Sequence, residues 1–218
     1  MLTLVSAISL ASTALAVELP DVHIALGEAF PLIAEGSISG EPATKLETAL
    51  KEPLTSTGVK VKLELNALSS LGAGVLTYTG VKQKMTFCSS EGDAAETILV
   101  SGEGHVISKS VAGVLKALLL LLFPPLHITC AKLKITITGP LILSITKVSS
   151  GVETTEVGAQ SKCVGAGKQE FTEYENDAGE LKTKQLLLAN LGLGSENACE
   201  EYMKEIVVTA FKMATLLF

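Results

Sequence analysis

The chain reads as an all-β protein, an antiparallel β-sandwich or barrel with one or two short helices. Three observations predict it. Gly58 to Leu65 (GVKVKLEL) alternates strictly, with Val59, Val61, Leu63 and Leu65 on one face and Lys60, Lys62 and Glu64 on the other. Ala131 to Thr138 (AKLKITIT) repeats the device. That period of two marks a strand with one face in a core and one in water. Third, glycine-containing turn signals recur between apolar runs at roughly the ten-residue spacing of antiparallel β proteins.

Met1 to Ala16 is an apolar stretch ending Ala14-Leu15-Ala16, followed at once by Glu18 and Pro20. This is the pattern of a secretory signal peptide and its small-residue cleavage site, although no lysine precedes Lys45 to supply the usual basic start. The expectation is an export leader at 1–16 and a single β-rich domain at 17–218. Further strands are expected at Val75 to Phe87, Thr97 to Ser101, Gly104 to Ser108, Leu141 to Val148, Glu153 to Lys162, Gln169 to Glu175, Leu181 to Asn190 and Ile206 to Leu217. Turns are expected at Ser90-Glu91-Gly92-Asp93, Ser101-Gly102-Glu103-Gly104, Gly139-Pro140, Val164-Gly165-Ala166-Gly167 and Asn176-Asp177-Ala178-Gly179. Glycine supplies positive φ there, and Asn or Asp bonds its own backbone. Short helices are expected at Ala67 to Leu71 and at Asn197 to Lys204, the second with Asn197 as cap and Glu200 three residues on.

Val111 to Phe123 (VAGVLKALLLLLF) is apolar apart from Lys116, and periodicity leaves helix and strand open. It is too short to cross a bilayer as a helix, which needs about 20 apolar residues. Phe218 ends the chain as an aromatic ends many outer-membrane barrels, but Lys212 falls on the face that would meet lipid, and 4% aromatic residues cannot furnish two girdles. An integral membrane protein is not expected. Of 218 residues 47% are hydrophobic and 18% charged, the net charge is −6, and every cation is lysine. Without a single Arg, and acidic overall, the chain is not expected to bind nucleic acid.

The four cysteines, Cys88, Cys130, Cys163 and Cys199, form no C-x-x-C. In an exported chain they suit two disulfides, for which three connectivities exist. The sequential pairs Cys88 with Cys130 and Cys163 with Cys199 are preferred.

Catalytic signatures are absent. Gly36-Ser37-Ile38-Ser39-Gly40 has Ile where a nucleophile elbow needs Ser. Ser144-Ile145-Thr146-Lys147 matches S-x-x-K inside an expected strand, and Gly165-Ala166-Gly167-Lys168 lacks the leading glycine and following hydroxyl of a phosphate loop. The three histidines, His23, His105 and His127, lie far apart in sequence, and a hydrolase is expected to use His105 or His127, both in expected strands. The acidic residues Glu170, Glu173, Glu175, Asp177, Glu180, Glu196, Glu200, Glu201 and Glu205 lack the alternation of a calcium loop and read as a solvated surface. No metal or cofactor is called for.

The leader, the GVKVKLEL-type strands, Phe87-Cys88, the Ile128-Thr129-Cys130-Ala131-Lys132-Leu133 segment and the late Asn197-Ala198-Cys199-Glu200 together resemble uncharacterised secreted β-rich proteins of bacteria. The resemblance implies export and disulfides, and no activity. The expected function is a secreted, disulfide-stabilised, non-catalytic domain with a binding or cell-envelope structural role. One alternative is a β-barrel carrier of a small hydrophobic ligand, suggested by an apolar content beyond the needs of a thin sandwich. The other is a secreted hydrolase.

Overall fold

Eight long strands follow one another around a closed antiparallel barrel. They are β1 (Leu32–Glu47), β2 (Leu54–Leu65), β3 (Leu71–Thr79), β4 (Thr97–Val111), β5 (Val114–Leu122), β6 (Leu141–Ser150), β7 (Thr154–Gln160) and β8 (Ile206–Phe211). Each pairs with the next in sequence, and β8 closes the ring on β1 through Ala34↔Ala210 to Gly36↔Val208. The structure is a computed structural model and describes residues 22–24, 32–48, 52–65, 71–112, 114–150, 154–165, 167–175, 180–192, 194–211 and 214–216. The expected leader at 1–16 and the Asn176 to Gly179 turn lie outside the described residues.

Alternation sets the inside and the outside. Val59, Val61, Leu76, Ile98, Val100, Leu119, Leu121, Leu143, Ile206 and Val208 are buried in one core. Glu35, Lys60, Lys62, Glu103 and Lys116 stand exposed on the outer face. Among the described residues the outer face is mixed, since Ile33, Leu99, Leu122 and Val207 are exposed beside these charges. No helix among the described residues is long and apolar enough to cross a membrane.

Ser101 to Gly104 is not a turn. β4 runs straight through it, in register with β3 by Gly74↔Gly102 and Gly72↔Gly104. These glycines make room rather than reverse the chain. A Cβ on Gly74 would come within 2.6 Å of the Leu121 side chain, and one on Gly102 would collide with the Leu122 carbonyl. Small residues at these inward positions let the leucines fill the narrow barrel.

Val111 to Phe123 resolves as the end of β4 and the whole of β5, and the leucine run Leu118 to Leu121 within it has a cause. Leu119 and Leu121 face the barrel core, while Leu118 and Leu120 face outward into a second cluster with Ile107, Ile142, Phe171 and Tyr174. With both faces buried, no alternation is left to read. Phe171→Ala is therefore expected to lower stability by about 3–5 kcal/mol, read from the urea midpoint, because it strips the cover from a leucine face.

In such a meander every second connection lies at the same end. The connections 48–53, 80–96, 123–140 and 161–205 thus share one end of the barrel, and the last three are long. They pair into a five-stranded antiparallel sheet in the order Thr86–Ser90, Leu126–Cys130, Leu133–Thr138, Leu188–Asn190, Ser195–Asn197. Its buried face carries Cys88, Ile128, Cys130, Ile135, Ile137 and Ala189. This sheet caps the barrel mouth. The four cysteines form the disulfides Cys88–Cys130, joining the first two insertions, and Cys163–Cys199, within the third. The fully buried Gln169 fastens the third insertion to the barrel: its amide nitrogen donates to the carbonyls of Pro140 and Gln185, and its oxygen accepts from the Ile142 N–H.

No helix occurs among the described residues. Asn197 to Lys204, expected as a helix, is extended: Cys199–Tyr202 adds as a strand to the upper half of β1, from Cys199↔Glu47 to Tyr202↔Thr44. The free hydrogen-bonding edge of β1, beyond its short pairing with β8, overrides the local capping pattern. Of the other expected helix, residues 66–70 lie outside the described residues, and Leu71 opens β3.

Candidate functional site

Three strands that meet at the mouth, Cys199–Tyr202, β1 and β2, build a small grid of inward side chains. Cross-strand register aligns Glu200 with Leu46 and Leu54, and one layer deeper Tyr202 with Thr44 and Ser56. Under the cap, this wall and the facing strands line a partly open cavity of about 60 Å³. On that scale one water needs about 10–15 Å³, so the space admits several waters or one small organic molecule.

The lining is mostly hydrocarbon. Leu46, Leu54, Val81, Ile98, Val100, Phe123, Leu126, Ile128, Ile137, Leu141 and Leu187 supply eleven apolar side chains. Polar atoms come from Thr44, Thr55, Ser56, Tyr78 and Glu200. Thr44 and Ser56 satisfy each other, with their hydroxyl oxygens 2.8 Å apart. Tyr78, from β3, donates its hydroxyl to Glu200 Oε2 at 2.8 Å, and the Tyr202 hydroxyl lies 3.4 Å from that of Tyr78. The backbone beside the carboxyl is also held: Ser161 Oγ donates to the Glu200 carbonyl at 2.7 Å, and the Tyr202 N–H donates to the Ser161 carbonyl.

Glu200 is only 7% exposed. Loss of water around the charge pushes its pKa up from 4.5 to about 8, against the opposing hydrogen bond from Tyr78. The carboxyl is thus mostly protonated at neutral pH. Burial first, and then the neighbouring Glu200, hold the Tyr78 and Tyr202 hydroxyls well above their usual range, so both remain neutral donors. A mostly apolar pocket with a few convergent polar groups, one of them strongly perturbed, is the ordinary form of a small-molecule site.

This overturns one sequence expectation. Glu200 was grouped with a solvated acidic surface, yet it is buried, while Glu170, Glu180 and Glu205 are exposed as expected. The surviving signal was the i, i+2 pair Glu200 and Tyr202, which shares one strand face, but the segment's helix-cap pattern masked it.

The histidines lie elsewhere. His105 faces outward on β4, its Nε2 3.9 Å from Glu103 Oε2 and without a hydrogen-bond partner. His127 is exposed on the cap, with Nδ1 3.1 Å from Thr136 Oγ1. Neither lines the cavity. His23 sits in the strand Val22–Ile24, paired with Ala214–Leu216. Ser144 of β6 donates its hydroxyl to the Gln160 carbonyl of β7, and Cys163–Val164 pairs with Lys168–Gln169 as an antiparallel hairpin. Glu47 lies near Cys163 and Cys199, but their sulfurs are bonded to each other, so no thiolate is offered to a metal.

Together the fold and the cavity define a capped eight-stranded β-barrel with a mostly apolar cavity at its mouth. Comparison with protein families, with curated proteins and with solved structures finds no match.

Proposed function

We propose that the protein is a non-catalytic binding module that holds a small, largely apolar molecule in the capped mouth of its barrel. The observation that carries this reading is the cavity itself: eleven apolar side chains around one polar corner formed by Glu200 and Tyr78. Eight-stranded barrels have interiors wide enough for packed side chains or for one small ligand, and here the lower barrel is packed while the mouth is not. The two disulfides suit an oxidising compartment, and we place the protein outside the cytoplasm, secreted or within the cell envelope. A hydrolase acting through His105 or His127 is not favoured, because neither histidine reaches the cavity.

The test is calorimetric titration with a panel of single-ring aromatic and short aliphatic compounds, paired with thermal shift. At least one should bind with one-to-one stoichiometry and raise the melting temperature. Val100→Phe, which places a ring in the cavity, should abolish that binding while the protein stays folded. Binding that is unchanged in Val100→Phe would assign the ligand to another surface. No binding by any compound would remove the reading.

A further inference from the structure

The polar corner of the cavity has a direction. The Tyr78 hydroxyl donates to Glu200 Oε2, and the Tyr202 hydroxyl stands behind that of Tyr78. With the single Tyr78 proton committed to the carboxyl, the remaining contact supplies a donor to Tyr78, so the relay runs from Tyr202 through Tyr78 to Glu200. Two hydroxyls therefore support negative charge at the carboxyl, and a cation is missing. Among the described residues lining the cavity there is no lysine or histidine. The titratable groups that face Glu200 are Tyr78 from β3 and Tyr202 from its own strand. β1, β2, β4 and the cap present hydroxyls and alkyl or aryl groups only.

A buried carboxyl without a cationic partner weakens a fold, and apolar residues of similar volume usually serve stability better. Its presence in the wall of a cavity points to a partner that arrives from outside. Resting on the binding-module reading, we infer that the ligand is an organic amine, whose ammonium group pairs with the Glu200 carboxylate while its apolar body fills the space among Leu46, Leu54, Val100, Phe123 and Leu141. An amine is already protonated in neutral water, whereas Glu200 carries its proton in the empty cavity. Ion-pair formation therefore expels one proton from the carboxyl to solvent, and the relay from Tyr78 then stabilises the carboxylate.

The experiment compares benzylamine with benzyl alcohol, which has the same ring and a neutral oxygen, by calorimetry at pH 7 in two buffers of different ionisation enthalpy. Benzylamine should bind at least tenfold more tightly than benzyl alcohol. Its binding heat should reveal release of close to one proton per molecule bound, and the alcohol should release none. In Glu200→Gln the preference for the amine should disappear while the alcohol still binds. Equal affinity of the two probes, or an amine preference that survives in Glu200→Gln, overturns the amine assignment and leaves the binding module standing. Failure of both probes, together with the wider panel, removes the binding module as well. The comparison of the two probes needs only the parent protein, so it decides the matter even if the variant does not fold.

Discussion

Glu200→Gln is expected to raise the melting temperature of the ligand-free protein at pH 8 and to leave it close to the parent value at pH 4.5 and below. The folded-state pKa of Glu200 is raised from 4.5 to about 8, chiefly by burial. Below pH 4.5 the carboxyl is protonated in both folded and unfolded chains, and the site costs little. Between pH 4.5 and 8 the unfolded chain releases the proton while the folded chain retains it, so the unfolded state gains and stability falls as pH rises. Above about pH 8 both states are ionised and the loss is complete. Within the window the slope approaches roughly 1.4 kcal/mol per pH unit. Glutamine has no proton to lose and can still accept from the Tyr78 hydroxyl, so the variant lacks this component. Urea titrations at half-unit pH steps measure it directly: the two stability curves should meet at acid pH and diverge steadily towards pH 8. Parallel curves would mean that Glu200 is hydrated and ionised at neutral pH, against the geometry described above.

The same residue shows where sequence stops being informative. Strands with one wet face were legible because Lys60, Lys62 and Glu64 mark one side of β2 and Val59, Val61 and Leu63 the other. The preferred sequential cysteine pairing is the one found: Cys88–Cys130 joins two neighbouring insertions, and Cys163–Cys199 closes a loop within the third. β5 was not legible, since Phe171 and Tyr174, fifty residues further on, bury its outer face and erase the alternation. The glycines of β3 and β4 mimic turn residues, although they serve the close packing of Leu121 and of the Leu122 backbone. At the candidate site the failure was sharper. Asn197 to Lys204 carries a helix-cap pattern, and pairing with the upper half of β1 makes Cys199–Tyr202 a strand instead. That switch aims Glu200 and Tyr202 at Tyr78, more than a hundred residues away in the chain. Up-and-down barrel order is likewise invisible locally, because the long insertions interrupt three of its connections with strands of their own.

Loss of either disulfide is expected to cost about 4 kcal/mol, because each closes a loop of comparable length, with separations of 42 residues for Cys88–Cys130 and 36 for Cys163–Cys199. The two double variants, Cys88→Ala with Cys130→Ala and Cys163→Ala with Cys199→Ala, should therefore have similar melting temperatures, both well below the parent. They should differ in pH response. Cys199 immediately precedes Glu200, on a strand held by its pairing with Glu47 to Thr44 and by the covalent link to Cys163. Without that link the strand end frays, water reaches the carboxyl, and its pKa falls back towards the ordinary range. The decline of stability between pH 5 and 8 should then shrink in the Cys163/Cys199 double variant. Cys88 and Cys130 instead join neighbouring strands of the cap and touch neither β1 nor the strand carrying Glu200, so their removal should lower the whole curve and keep its slope. If both double variants keep the parent slope, the barrel wall and Tyr78 alone hold the carboxyl in place. The Cys163–Cys199 bridge would then serve the third insertion as a whole rather than the site.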